Sequence, residues 1–179
     1  MVLYRRSRAA GGTFFFTVTL RDRSSSLLVE RAPLLTRTMR VVRARRPWRT
    51  LGLVILPDHL HAVWELPEGD ADFSGRWRAI KSGFVRALAR EGHPVARNAK
   101  GECDLWQRRF WEHTIRDASD LERHIAYLHF NPVKHGYVAR VKDWRWSTFH
   151  RYVQQGVLGA DWAGAAGDPD SIALHPGYV

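Results

Sequence analysis

At 179 residues the chain has room for one domain with a short appendage, and with 45% hydrophobic residues, eight Trp and eight Phe among them, it has ample apolar surface for a core. A net charge of +10 and a pI near 10.6 favour a polyanionic partner, nucleic acid ahead of membrane, since no strongly amphipathic basic helix stands at a terminus. The single Cys103 excludes an internal disulfide and a Cys-rich zinc site, and the lack of a long apolar run or a signal-peptide core points to a soluble, unexported, cytoplasmic protein.

Tyr4-Arg5-Arg6 opens a basic arm, and the aromatic, β-branched run Thr13 to Leu20 reads as a strand. Arg21 to Ser26 is a polar loop, and Leu27 to Glu30 is expected to be extended. Pro33 suits the first turn of a helix from about Ala32 to Arg46, where Leu35, Met39 and Val42 keep helical spacing among several arginines. Pro47 ends it. Two strands follow, Thr50 to Leu56 and His59 to Leu66, with Pro57-Asp58 marking a tight turn between them. Phe73, Trp77, Ile80, Phe84 and Leu88 form the apolar stripe of a helix over 73–91, with Arg76, Lys81 and Arg86 off that stripe. After a polar loop, Leu105 to Ile115 reads as a strand bent near Arg108-Arg109. This order of strand, helix, strand, strand, helix, strand predicts an α+β domain of the ferredoxin-like βαββαβ type, with an antiparallel sheet and two helices on one face. That fold hosts many unrelated functions and decides none of them.

A further helix then begins, with Ser119-Asp120-Leu121-Glu122 matching a capping box. Leu121, Ile125 and Leu128 make its apolar stripe, while His124, Tyr127 and Asn131 share a different face. Pro132 is expected to limit this helix and to leave Asn131 at or just past its end. The tail over 156–179 reads as weakly structured, with Trp162 available to pin part of it back; residues 1–155 are the expected domain. No internal repeat or low-complexity tract interrupts the chain.

Two sets of residues carry chemistry. In a strand, His59 and His61 point to one face while Leu60 points to the other, so the two imidazoles can share one divalent cation. An isolated His-x-His is more often two ordinary histidines, and a tyrosine on a polar helical face is usually packing. Asn131, one turn after Tyr127, shifts that weighting, because its amide oxygen could reach an ion held by the histidines. Two imidazoles and one amide oxygen leave positions open for substrate oxygens and suit Mg²⁺ or, with its tolerance of mixed ligation, Mn²⁺. A phenol attacking a phosphodiester is activated by such an ion and is also a good leaving group, so the phosphotyrosine link is reversible.

His59-Leu60-His61, the stretch Trp106 to His113, and Tyr127-Leu128-His129-Phe130-Asn131-Pro132-Val133-Lys134 resemble the REP-associated tyrosine transposases. These are relatives of single-tyrosine insertion-sequence transposases within the His-hydrophobe-His nuclease superfamily. The resemblance runs from about Tyr4 to Trp162. It implies a metal-dependent enzyme that cleaves and rejoins single-stranded DNA at palindromic hairpins through a covalent 5′-phosphotyrosine, acting at the nucleoid. It implies Tyr127 as nucleophile and His59, His61 and Asn131 as metal ligands; related insertion-sequence enzymes carry Gln where Asn131 stands. Arg5 and Arg6 on the arm, then Arg108 and Arg109, are the expected DNA contacts, and a monomer is favoured over the helix-exchanging dimer of the relatives. Trp106 and Trp111 are available to stack on bases, although most tryptophans in so small a domain belong to its core. Two other readings remain open: a ferredoxin-like hairpin-binding protein with a vestigial nuclease site, and a zinc hydrolase, which the lack of an HExxH or Cys ligand set disfavours.

Overall fold

The computed structural model describes residues 10–101 and 103–164, so Arg5 and Arg6 lie outside the described residues. Its elements are β1 (Thr13–Thr19), α1 (Leu27–Glu30), α2 (Ala32–Arg45), β2 (Arg49–Ile55), β3 (His59–Glu65), α3 (Phe73–Arg90), β4 (Trp111–Thr114), α4 (Ala118–Lys134), a 3₁₀ turn at Val141–Asp143, and α5 (Phe149–Gln154). The strands form one antiparallel sheet in the order β2-β3-β1-β4, the expected ferredoxin-like arrangement. No helix among the described residues is long and apolar enough to cross a membrane.

The alternation of β1 divides the molecule into two layers. Phe14, Phe16 and Val18 join Leu60, Ala62 and Trp64 in a core against α2 and α3, where Trp64 stacks on Trp77 at 4.2 Å. Truncating either tryptophan to Ala would destabilise the fold by about 3–5 kcal/mol. Phe15, between them, points to the opposite face and joins Val54, Val63, Ile125, Tyr127 and Leu128 in a second core under α4. Helix α4 therefore covers the sheet face that α2 and α3 leave bare. It lies so close to β2 that a Cβ on Gly52 would stand 2.8 Å from Ile125 Cδ1.

The structure revises several local expectations. Residues 27–30 form a helical turn rather than an extended segment, because the Val29 and Glu30 amides bond back to the Ser26 carbonyl. The last strand shrinks to Trp111–Thr114. Before it, Trp106 bridges Leu20 and the Gln107 amide reaches the Thr19 carbonyl, and pairing with β1 resumes only beyond Arg108-Arg109. Arg76 is buried, with its guanidinium on Asp70 at 2.6 and 2.9 Å and on the Pro47 carbonyl at 2.7 Å.

Helix α4 starts two residues earlier than the capping box implies: the cap is Asp117, whose carboxylate accepts from the Asp120 amide at 2.8 Å. Nor does Pro132 end it. The helix runs on to Lys134 and closes at Gly136, which takes a φ of 70° while the Tyr137 and Gly136 amides bond the carbonyls of Pro132 and Val133. Asn131 is thus inside the helix, fully buried.

Beyond α4 the chain returns along the outer edge of β2. The Ile55 amide bonds the Trp146 carbonyl, Thr148 bonds Leu53 in both directions, and Trp144 Nε1 and Tyr152 Oη donate to the carbonyls of Ile55 and Leu51. This closes an edge that would otherwise be open to pairing with another chain. Trp162 packs near Phe149 and His129.

Candidate functional site

The histidines of β3 face α4, on the layer opposite α2 and α3. Each has its Nδ1 held by a neighbour. His61 lies opposite Thr17 in the β1–β3 register, and the Thr17 hydroxyl stands 2.9 Å from its Nδ1. His59 Nδ1 stands 2.8 Å from Asp58 Oδ1, while the other oxygen of that carboxylate bonds Arg23. An imidazole anchored through Nδ1 presents Nε2 in a fixed direction, which is how a ligating histidine is oriented. Among the described residues, the buried Nε2 of His61 has no hydrogen-bond partner, and the same holds for both amide atoms of Asn131. Buried polar atoms are rarely left so, which makes these atoms suited to a ligand outside the polypeptide.

Burial lowers the pKa of His61 well below the ordinary value, and the nearby His59, His135 and Lys134 act in the same direction. The ring is neutral at physiological pH, with a lone pair to offer. Burial pushes the Asp58 carboxyl up, yet the hydrogen bonds and charges of His59 and Arg23 together hold it below the usual carboxylate range. Asp58 stays anionic beside His59.

Tyr127 completes the group. Its ring lies 5.4 Å from His61 and 6.0 Å from Phe15, almost wholly buried, with Lys134 Nζ 5.4 Å from its centroid. Three separated stretches of sequence thus meet: Thr17, Asp58 to His61, and the α4 residues Tyr127 and Lys134, with Asn131 buried on the same helix one turn after Tyr127. His135, 5.3 Å from His59, borders the group and was not anticipated from the sequence; burial and the neighbouring His59 lower its pKa. Thr17 and Asp58 were missed as well. Asp58 adjoins His59 in sequence and could have been weighed, whereas Thr17 is identifiable only from strand register. Tyr137, the other tyrosine near the helix end, is 41% exposed and stacks between His135 and Trp144 at 5.7 and 5.6 Å.

Arg108 and Arg109 are exposed but do not join this group. Arg108 lines a groove of ≈ 550 Å³ on the other layer, with Arg78, Lys81 and Arg86 of α3. Trp106 is buried against Phe84, and Trp111 packs edge-on to Phe15, so both serve the cores.

The chain matches no family model. It is 46% identical over 165 residues to the REP-associated tyrosine transposase of Escherichia coli K12, covering 92% of this chain and 93% of that one. It is 42% identical over 163 residues to a Haemophilus influenzae relative of the same family designation, covering 90% and 93%. A solved structure of a REP-associated tyrosine transposase bound to a REP hairpin superposes with a TM-score of 0.82 at 46% identity, covering 94% of each chain. With identity of this order along almost its whole length, the chain belongs to the REP-associated tyrosine transposases.

Proposed function

We propose that the protein binds single-stranded DNA folded into REP-type hairpins and cleaves and rejoins the strand beside them, with Tyr127 as nucleophile and His59, His61 and Asn131 as ligands of Mg²⁺ or Mn²⁺. The observation that carries this reading is the buried Nε2 of His61, whose ring lies close to that of Tyr127, and which like both amide atoms of Asn131 has no hydrogen-bond partner among the described residues. The hairpin seen with the structural relative supports the substrate class. Bound there, the ion would polarise the scissile phosphate and stabilise charge on its non-bridging oxygens.

The residues of the chain do the rest. Thr17 and Asp58 hold the two imidazoles through Nδ1, which leaves Nε2 of each as the ligating nitrogen. Helix α4 supplies Asn131 and Tyr127 from one rigid face, separated by one turn. As Tyr127 Oη bonds to phosphorus, the phenolic proton leaves, the bond from phosphorus to the 3′ oxygen breaks, and that oxygen takes up a proton. One phosphoester replaces another, so attack by a 3′ hydroxyl on the 5′-phosphotyrosine rejoins DNA and frees the phenol. Lys134 adds positive charge near the ring as the phosphate arrives. Residues 1–155 form the DNA-processing domain, Arg5, Arg6, Arg108 and Arg109 contact DNA phosphates or bases, residues 156–179 are a tail, and the protein acts as a monomer on nucleoid DNA.

The test is the covalent adduct on labelled hairpin DNA with Mn²⁺. Tyr127→Phe should abolish it while hairpin binding survives, and Tyr137→Phe should leave it intact. An adduct that persists in Tyr127→Phe and vanishes in Tyr137→Phe would reverse the assignment. No adduct in the wild-type protein would leave a hairpin-binding protein only.

A further inference from the structure

A second cluster lies at the opposite end of α4 from Asn131. His113 on β4, Asp120 in the first turn of α4 and His124 in the next turn present donor atoms that all lie within 4.8 Å of one another, the one such group of three among the described residues. His113 Nε2 is 2.8 Å from Asp120 Oδ2, and the rings of His113 and His124 stack at 4.6 Å. Asp120 and His124 are buried, at 4% and 3% exposure.

Two features exceed what a hydrogen-bonded clasp requires. His124 Nδ1 stands 2.8 Å from the backbone carbonyl of Asp120, the bond that fixes the tautomer of a ligating imidazole and leaves Nε2 as the lone pair. That Nε2 is buried with no hydrogen-bond partner among the described residues. The cluster therefore offers two imidazoles and one carboxylate, three protein donors of the kind that hold a tetrahedral ion with a fourth position open. An ion about 2.0–2.1 Å from each donor needs them roughly 3.3 Å apart, so the His113–Asp120 pair, now at 2.8 Å, would open by about half an ångström.

We propose that His113, Asp120 and His124 form a second divalent-metal site, of the zinc class, separate from the His59–His61 group. Its ligands join β4 to the first two turns of α4, and His124 precedes Tyr127 by one turn. Both rings pack on Phe15, at 4.9 and 6.0 Å. An ion here fastens the nucleophile-bearing helix to the sheet and leaves the reaction chemistry to the other site. Imidazole and carboxylate together favour Zn²⁺ or Co²⁺ over Mg²⁺.

The experiment uses the full chain carrying His59→Ala and His61→Ala, which removes the proposed reaction site, stripped with chelator and titrated with Co²⁺ and with Zn²⁺. Expected are one equivalent of bound Co²⁺ with the visible absorption of a low-coordinate N/O site, competition by Zn²⁺, and a melting temperature raised by Zn²⁺. Adding Asp120→Asn or His124→Ala should remove all three signals. Adding His113→Ala, at the sheet edge, should weaken Co²⁺ binding at least tenfold in a chain that remains folded by circular dichroism. No bound equivalent in the His59/His61 variant, or an equivalent unaffected by His113→Ala, would overturn the proposal. Because the reaction site is absent from this protein, failure of the Tyr127 reading would leave this result unchanged.

Discussion

Replacing Thr17 by Val tests whether His61 serves as an oriented metal ligand. Valine keeps the β-branched shape at a strand position that is 1% exposed, so the strand and its packing should persist. What disappears is one hydroxyl, 2.9 Å from His61 Nδ1. Since Nε2 of that ring has no partner within the described residues, the metal-free variant would bury an imidazole that has lost its one side-chain hydrogen bond. A buried polar group abandoned in this way costs about 1–3 kcal/mol. Losing the partner of a ligating histidine also weakens metal affinity or activity by about 10–100-fold. Urea denaturation in EDTA should therefore show about 1–3 kcal/mol less stability. In nicking assays on hairpin DNA, the Mn²⁺ concentration at half-maximal rate should rise by about 10–100-fold. Saturating Mn²⁺ should restore most of the rate, because the ligands remain and mass action compensates. Hairpin affinity measured without metal should not change. A folded Thr17→Val protein with the wild-type Mn²⁺ requirement would refute the argument that this hydroxyl orients a ligand.

Asn131→Ala should reduce nicking less than His59→Ala or His61→Ala, and Asn131→Gln should retain part of the activity through the same amide oxygen, both read as initial rates at fixed Mn²⁺. Changing Arg108 and Arg109 together to Ala should lower the slope of log affinity against log salt by up to about 1.4 on single strands or 1.8 on duplex; an unchanged slope removes them from the interface. The same measurement on Arg5→Ala with Arg6→Ala separates phosphate contacts from base reading, because loss of base contacts relaxes sequence preference instead. The chain should also lose stability in acid. Burial, with the charges of Arg151 and His150, lowers the His129 pKa to about 3. The unfolded chain takes up this proton below about pH 6.5 while the folded chain refuses it, so stability is full above that value and falls as pH drops towards 3. At pH 4.5 this one group accounts for about 2–3 kcal/mol, and His129→Gln should show a shallower decline in EDTA by denaturant titration.

Local pattern carries some of this protein outright. Period-two alternation is enough to place His59 and His61 on one face, because successive strand side chains have no other choice. Period-3.6 spacing likewise groups His124, Tyr127 and Asn131, and it identifies the α3 stripe that the structure buries almost completely. The order of strands and helices predicts the antiparallel ferredoxin-like sheet.

Other features depend on residues far apart in the chain. The partner of His61 is set by the β1–β3 register, which brings in Thr17 from 44 residues away. Local signals mislead where tertiary packing outweighs them: Pro132 has the sequence mark of a helix end, yet α4 continues to Lys134 and closes at Gly136, where the left-handed turn satisfies the last carbonyls. Arg76 lies beside an apolar stripe and would be assigned to solvent, but Asp70 and the Pro47 carbonyl let it be buried. Most consequentially, no period in the sequence says which sheet face α4 covers. That choice falls to the face left open by α2 and α3, lined by Phe15, Val54 and Val63, and to the close approach that Gly52 permits. Docking α4 there brings Tyr127 to His61 of β3 and Asp120 and His124 to His113, because burying one apolar stripe positions every side chain on the helix at once.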